Sequence, residues 1–330
     1  MRALIARFTE SSESFEGSAG SAGADGSAGT LEVVDVPVLG VGAGQLRISV
    51  GAAAVHPVDL LVSAGAPVAA GLVGARPTFG LGWDVAGTVD AIGPGVTAFT
   101  PGDRVIGLQD RLDVRTGAQA EYVVLDADAV ASAPAGIPPE AAATLPLNAL
   151  TADLALDVLG ALGLEPGGTL LVTGAAGALG GYAVELAALR GLRVVAVAGA
   201  ADESSVRALG AAHFVERGAE LADRVRALVP GGVDAALDAA MLRADALDAV
   251  RGGGAFASVN AGAAPVPLRG IHVRDVWVRA DGARLAELAR LAETGALTPR
   301  VAGVLPLERA AEAHARMSEG GVRGRWVLVP

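Results

Sequence analysis

The 330-residue chain contains no cysteine and no lysine. Without cysteine there is no disulfide and no thiolate ligand for zinc, and the nitrogen ligands reduce to His56, His213, His272 and His314. No metal site is expected. With lysine absent, 25 dispersed arginines face 36 acids, for a net charge of -11. No basic stripe exists for a phosphate backbone, so nucleic acid is not an expected partner. The chain also lacks an apolar run free of glycine, proline and charge over the about 20 residues that a membrane span needs. The opening Met1-Arg-Ala-Leu-Ile-Ala-Arg-Phe reads as a strand and is too quickly interrupted for a secretory signal. The expectation is a soluble cytoplasmic protein without a membrane partner.

What is present is apolar mass. Hydrophobic residues make up 52% of the chain, enough for two domains rather than one. The second of these is organised around residues 167–186, Gly-Gly-Thr-Leu-Leu-Val-Thr-Gly-Ala-Ala-Gly-Ala-Leu-Gly-Gly-Tyr-Ala-Val-Glu-Leu. Thr169 to Thr173 has the apolar, β-branched character of a strand buried on both faces of a parallel sheet, and 179–189 has helical apolar spacing. Gly174, Gly177 and Gly180 recur every third residue between them. Such a turn lets the chain reverse, lets a pyrophosphate approach Gly177 and lets the helix pack on its strand, with free amides at the helix start facing phosphate. The strict G-x-G-x-x-G form is not met, because Ala175 stands where its first glycine would be. A second strand at Arg193 to Ala198 and a third at Val233 to Asp238 complete the βαβαβ order of a mononucleotide-binding half. A tight turn in another α/β protein is the alternative.

Before that region, residues 11–29 are serine, glycine and alanine with a few acids, which carry almost no apolar burial to offset ordering entropy, so a mobile loop is expected. From 31 to 124, short β-type runs (31–36, Gln45 to Ala54, Asp84 to Ile92, 104–107, 118–124) alternate with turns such as Gly93-Pro-Gly and Pro101-Gly-Asp, the pattern of a largely β domain. Residues 138–162 read as a helix in two pieces broken near Leu145-Pro-Leu-Asn. After a strand at 256–260 come a β-rich stretch at 273–278, helices at 282–294 and 307–318, and a last strand beginning Arg325-Trp-Val-Leu-Val.

Several ordered segments carry a resemblance over nearly the whole chain. Ala53-Ala-Val-His-Pro-Val-Asp-Leu-Leu, Gly82-Trp-Asp-Val-Ala-Gly-Thr-Val, Gly93-Pro-Gly-Val-Thr-Ala-Phe-Thr-Pro-Gly-Asp-Arg-Val, 117–123, 142–155, the glycine turn and Gly324-Arg-Trp-Val-Leu together resemble the zinc-less medium-chain dehydrogenase/reductases, in their NADPH:quinone oxidoreductase branch. The resemblance implies an α/β protein: a Rossmann doubly wound parallel sheet plus a GroES-like β domain. The β domain is expected at 1–125, with the C-terminal segment 270–330 returning to it, and the NADPH-binding domain at 126–269. Where zinc-binding members keep their ligands, this chain has His56, Trp83 or Asp84, and Leu147, which is not a metal set. A homodimer is implied, supported by the run Asp275-Val-Trp-Val-Arg279 as a sheet edge.

The same resemblance places residues near the nicotinamide. His56 stands where asparagine is common; it either donates a hydrogen bond or proton to a substrate carbonyl, or is a histidine bonded to backbone before Pro57. Asn148 and Thr151 either hold the nicotinamide ribose and ring or, for Thr151, cap a helix. With His56 they form the expected catalytic set. The cofactor set is Asn148, Thr151, Gly174, Ala176, Gly177, Ala178, Leu179, Ala198, Gly199, Arg217, Asn260, Ala261 and Arg325. Ala198 occupies the strand end where an acid binds the ribose diol in NAD-preferring folds, which leaves room for a 2′-phosphate, and Arg217 offers it a guanidinium fork. Asp202 and Glu203 read as the start of a helix, Asp59 as a turn cap, Asp84 as a pocket residue or a backbone acceptor, and Arg323 as exposed or tail-like. The expected function is reduction of quinones or α,β-unsaturated carbonyl compounds by NADPH without zinc. An enoyl reductase of a biosynthetic pathway and a non-catalytic NADPH-binding protein are the alternatives.

Overall fold

Alternating burial shows how the first half of the chain forms sheet: in Gln45–Ala54, Leu46, Ile48, Val50 and Ala52 turn inward between half-buried residues, and the strand ends on the fully buried Ala53 and Ala54. The computed structural model describes residues 1–8, 29–260 and 262–330. The loop expected at 11–29 thus lies, except for Gly29, outside the described residues, as does Ala261. In chain order the elements are β1 (Arg2–Arg7), β2 (Thr30–Asp35), β3 (Gln45–Ala54), α1 (Pro57–Ser63), α2 (Ala66–Ala69), β4 (Thr78–Gly80), β5 (Asp84–Ile92), β6 (Arg104–Leu108), β7 (Tyr122–Asp126), β8 (Val130–Ser132) and α3 (Pro139–Ala142). There follow α4 (Pro146–Ala161), β9 (Thr169–Thr173), α5 (Ala178–Leu189), β10 (Arg193–Ala198), α6 (Glu203–Ala208), β11 (His213–Glu216), α7 (Leu221–Leu228), β12 (Val233–Asp238), α8 (Ala244–Asp248), β13 (Val250–Ser258) and β14 (His272–Asp275). The chain closes with α9 (Gly282–Glu293), β15 (Val301–Pro306), α10 (Ala310–Ser318) and β16 (Arg325–Val329).

Two compact units result. The first comprises Met1–Pro146, Ala280–Ala286 and Val301–Pro330. Its larger sheet runs β15-β16-β3-β5-β6-β8, with β7 also pairing β3, and its smaller sheet runs β2-β1-β4. Leu46, Ile48, Val85, Val89, Val105, Val123 and Leu125 fill the interior of the larger sheet. The second unit, Leu147–Arg279 with Glu287–Arg300, holds one sheet in the order β11-β10-β9-β12-β13-β14, every pair parallel. Renumbered from β9, that order is three-two-one-four-five-six, the doubly wound arrangement whose switch point lies between β9 and β12. All five residues of β9 are buried, as a central strand covered on both faces requires.

The boundaries fall differently from the sequence expectation. Residues 126–146 stay with the first unit, because β8 pairs with β6 and α3 packs on β3 and β5. Residues 270–279 stay with the second, because β14 adds to β13 as the edge strand. That strand ends at Asp275, so Trp277 lies beyond it rather than within a run to 278. The segment Pro139–Ala161 is long and apolar enough, at a hydropathy of 1.2, to span a membrane by length and composition, although it carries Glu140, Pro146, Asp153 and Asp157; 78% of its most apolar window is buried inside the protein, as in a core helix.

Candidate functional site

The glycine turn sits at the carboxyl end of β9, beside the switch point. Gly174 adopts φ +61, the left-handed region that disfavours a side chain. At Gly180 a Cβ would lie 2.1 Å from the Gly174 carbonyl oxygen, so the helix packs on its strand only with glycine there. Gly177 differs: its backbone is ordinary (φ -74, ψ 174), and a Cβ would meet nothing within 4 Å except Gly174 O at 3.1 Å. It is the N-cap of α5 and carries no side-chain cap, so the first-turn amides, including those of Ala178 and Leu179, have no capping side chain as acceptor. Ala176 completes the turn between Ala175 and Gly177. Open space in front of Gly177 and uncapped amides behind it are what a pyrophosphate requires, and these residues fit a bound dinucleotide.

The groups expected to select the cofactor come together one strand further out. Ala198 ends β10, and Gly199 leads into the 3-10 turn Ala200–Asp202. The Arg217 backbone N–H donates to the Ala198 carbonyl at 2.7 Å, which brings Arg217, exposed just after β11, beside the β10 end. Asp202 also approaches: its Oδ2 lies 3.2 Å from where a Cβ on Gly199 would stand. Asn260 lies just past β13, and its carbonyl accepts from Ser258 Oγ (3.2 Å) and Ala263 N–H (3.0 Å). Asn148 is fully buried in the first turn of α4.

Two of the expected residues are held otherwise than the sequence implied. Thr151 is not a helix cap; it lies inside α4 and its hydroxyl donates to the Leu147 carbonyl one turn back, at 2.6 Å. Arg325 begins β16 in the first unit, is only 8% exposed, and has Nη1 4.0 Å from Met317 Sδ, so it is a packed side chain of that unit.

In the first unit, His56 and Asp84 form a fully buried pair, with His56 Nε2 2.8 Å from Asp84 Oδ2. The pairing follows from chain geometry: His56 precedes Pro57, which starts α1, while Asp84 opens β5. Neither backbone reading of these side chains accounts for this contact. His56 Nδ1 is buried and has no hydrogen-bond partner among the described residues. Asp59, as expected, ties down the turn: Oδ2 accepts the His56 N–H (2.8 Å) and Oδ1 accepts the Gly82 N–H (2.8 Å). Gln119 donates to Asp59 Oδ2 at 3.2 Å, and its Oε1 lies 3.0 Å from His314 Nε2 on α10. Burial pushes the Asp59 carboxyl above its ordinary value, against the pull of His314 and His56 and two backbone donors. Burial likewise holds His314 below its ordinary value, opposed by Asp59. Trp83 is buried beside Asp84 in the chain.

The donor set does not suit zinc. The chain has no thiolate to offer, His56 Nε2 is engaged by Asp84, and among the described residues no three His, Asp or Glu side chains are grouped to hold an ion. Gln119 lies in the 117–123 segment and His314 is one of the four histidines, but their pairing escaped the sequence reading because they sit 195 residues apart. Thr173 and Asp238 escaped it too, although each ends a strand at the switch point, a position that could have marked them.

Family models match two segments: an alcohol dehydrogenase GroES-like domain over residues 42–135 and a zinc-binding dehydrogenase over residues 209–328. A solved NAD-dependent alcohol dehydrogenase is 31% identical, with TM-score 0.83 and full coverage of both chains. A mycobacterial protein solved with NADPH is 27% identical, with TM-score 0.79 and full coverage of both. Quinone oxidoreductase of Sus scrofa is 28% identical over 306 residues, 86% of this chain and 89% of that one. The polyketide synthase component PikAII of Streptomyces venezuelae is 33% identical over 87% of this chain, which spans only 8% of that much longer protein. On these likenesses the chain belongs to the medium-chain dehydrogenase/reductases, NAD(P)H-dependent oxidoreductases, in their quinone oxidoreductase branch.

Proposed function

We propose that the protein is an NADPH-dependent reductase of quinones or α,β-unsaturated carbonyl compounds that works without zinc. The observation that carries the reading is the glycine turn at the β9/β12 switch point, open in front of Gly177, with Ala198 and Arg217 joined by a 2.7 Å hydrogen bond at the neighbouring strand end. A small side chain at 198 leaves room for a 2′-phosphate, and the Arg217 guanidinium supplies its counter-charge. The likeness to a protein solved with NADPH supports this choice, while the likeness to an NAD-dependent enzyme makes cofactor preference the first quantity to measure.

When bound, the nicotinamide supplies the hydride. The chain's own residues bind, orient and protonate. The amides of Ala178 and Leu179 take the pyrophosphate; Asn148, the Thr151 oxygen and the backbone at Asn260 orient the nicotinamide half. His56 is assigned the proton donor. With Nε2 held at 2.8 Å from Asp84 Oδ2, the ring nitrogen left for the substrate is Nδ1, which has no hydrogen-bond partner among the described residues. His56 would protonate the substrate oxygen as the acceptor is reduced, and Asp84 would keep the ring oriented.

The likeness to a stretch of a polyketide synthase favours a second setting for the same chemistry, reduction of an enoyl thioester in a biosynthetic pathway. Chelator-treated protein tested with NADPH and NADH against quinones, simple enones and an enoyl thioester separates these readings. NADPH oxidation by quinones and enones is expected; turnover of the thioester alone would favour the biosynthetic setting. Tight NADPH binding with no turnover of any acceptor would leave a cofactor-binding protein, and activity lost on chelation and restored by zinc would overturn the metal-free mechanism.

A further inference from the structure

The two central strands of the parallel sheet are joined by a threonine-aspartate bridge at each end. At the amino end, Thr169 Oγ1 and N–H donate to Asp234 Oδ2 (2.7 and 2.8 Å), and the Asp234 N–H donates back to Thr169 Oγ1 (2.9 Å). Arg251 Nε adds a contact to Asp234 Oδ1 at 2.8 Å. This bridge closes the strand ends.

At the carboxyl end the same chemistry holds more. Thr173 Oγ1 donates to Asp238 Oδ1 at 2.6 Å and accepts the N–H groups of Ala239 (3.0 Å) and Ala240 (3.1 Å). Asp238 accepts the N–H groups of Ala240 (3.3 Å), Leu242 (3.1 Å) and Arg243 (2.8 Å). Both side chains are essentially fully buried. The hydroxyl has thereby used its donor and both lone pairs. The captured loop is strained: Met241 (φ 55) and Arg243 (φ 51) are left-handed without being glycine, which persists only where surroundings enforce it and which concentrates at functional sites. The loop also lies against the turn, since a Cβ on Gly174 would stand 3.3 Å from Ala240 Cβ.

We infer that the Thr173–Asp238 bridge is a positioning pair for the cofactor: it pins the strained 239–243 loop against Gly174, so that the glycine turn is already shaped when the dinucleotide arrives. The inference rests on the cofactor reading given under the proposed function. Thr169–Asp234 bridges the same strands at the end away from the turn and acts only on stability, so it provides a matched control inside one molecule.

The test compares Thr173→Val, Thr173→Ser and Thr169→Val with the unaltered protein, measuring the NADPH dissociation constant by calorimetry and the thermal midpoint of the cofactor-free protein. Both valine variants are expected to unfold at lower temperature. Only Thr173→Val is expected to weaken NADPH binding, by tenfold or more, while Thr173→Ser, which restores the hydroxyl, stays within about twofold of the unaltered protein. If Thr173→Val does not fold, Asp238→Asn carries the same expectation, because it keeps the side chain's shape but turns one acceptor into a donor facing N–H groups. Equal affinity in Thr173→Val and the unaltered protein, or an equal loss in both valine variants, would overturn the inference alone. Failure of the unaltered protein to bind NADPH would overturn the cofactor reading and this inference with it.

Discussion

Alanine at Gly177 and alanine at Gly180 should damage the protein in opposite ways. At Gly180 the added Cβ would lie 2.1 Å from Gly174 O and 2.7 Å from Gly174 C, against a practical floor of 3.0 Å, and both atoms are backbone that cannot swing aside. The turn and helix must separate by close to 1 Å. Overpacking of this kind costs about 1–3 kcal/mol, while alanine inside a helix recovers up to about 1 kcal/mol relative to glycine. Because the clashing atoms are backbone, the upper end of that cost applies, and a net loss of about 2 kcal/mol in stability is expected, with weaker cofactor binding as a consequence. At Gly177 the backbone suits any residue and the Cβ meets only Gly174 O at 3.1 Å. The unfolded chain loses freedom on Gly→Ala, a stabilising effect of about 0.4–1 kcal/mol. The cofactor-free Gly177→Ala protein should therefore be as stable as the original or slightly more so. Its methyl group, however, occupies the space assigned to the pyrophosphate, and a tenfold or greater loss of NADPH affinity, about 1.4 kcal/mol, is expected. Denaturant unfolding and calorimetric titration of both variants read the two effects separately. Unchanged NADPH affinity in Gly177→Ala, or undiminished stability in Gly180→Ala, would refute the reasoning.

Ala198→Asp should shift preference from NADPH toward NADH, since a carboxylate about 4 Å from a 2′-phosphate at an effective dielectric of about 20 costs about 4 kcal/mol per charge pair before solvent adjusts; the ratio of dissociation constants checks it. His314 is held below its ordinary value, so the folded protein resists the proton that the unfolded chain accepts near pH 6.5. Stability should be full above about pH 6.5 and fall as the pH drops below it, and His314→Gln should flatten that slope in urea unfolding measured from pH 7.5 to 5. A homodimer is expected at micromolar concentration, because β14 is an open sheet edge with Trp277 (53% exposed) and Leu268 (55%) near it; a monomer in sedimentation would count against it.

The nucleotide half was the more legible part of the chain because its signals are local. A five-residue apolar strand, glycines at 174, 177 and 180 and an uncapped helix follow one another within 21 residues, and the structure places β9, β10 and β12 at the expected bounds. The GroES-like half was legible as strands but not as a site. His56 and Asp84 are 28 residues apart, and the contact that joins them depends on how the start of β5 meets the residue before α1, which no spacing encodes. Thr151 misled for a related reason: a threonine near a proline break reads as a cap, yet α4 begins five residues earlier, at Pro146, and the hydroxyl turns back to Leu147. The domain boundaries slipped where one short strand decides membership, β8 on one side and β14 on the other.

Single-turnover transfer from NADPH deuterated at the hydride-donating carbon to a simple enone tests the central claim most directly, with the product read by mass spectrometry and the rate compared between the original protein and His56→Asn. The account predicts deuterium at the β-carbon of the saturated product, and a chemical step slowed by roughly a hundredfold or more when the donor at 56 is exchanged, as expected for loss of a group that stabilises a developing oxyanion. Cofactor oxidation without deuterium in the product would contradict hydride transfer, and an undiminished rate in a correctly folded His56→Asn protein would contradict the role assigned to His56 and Asp84.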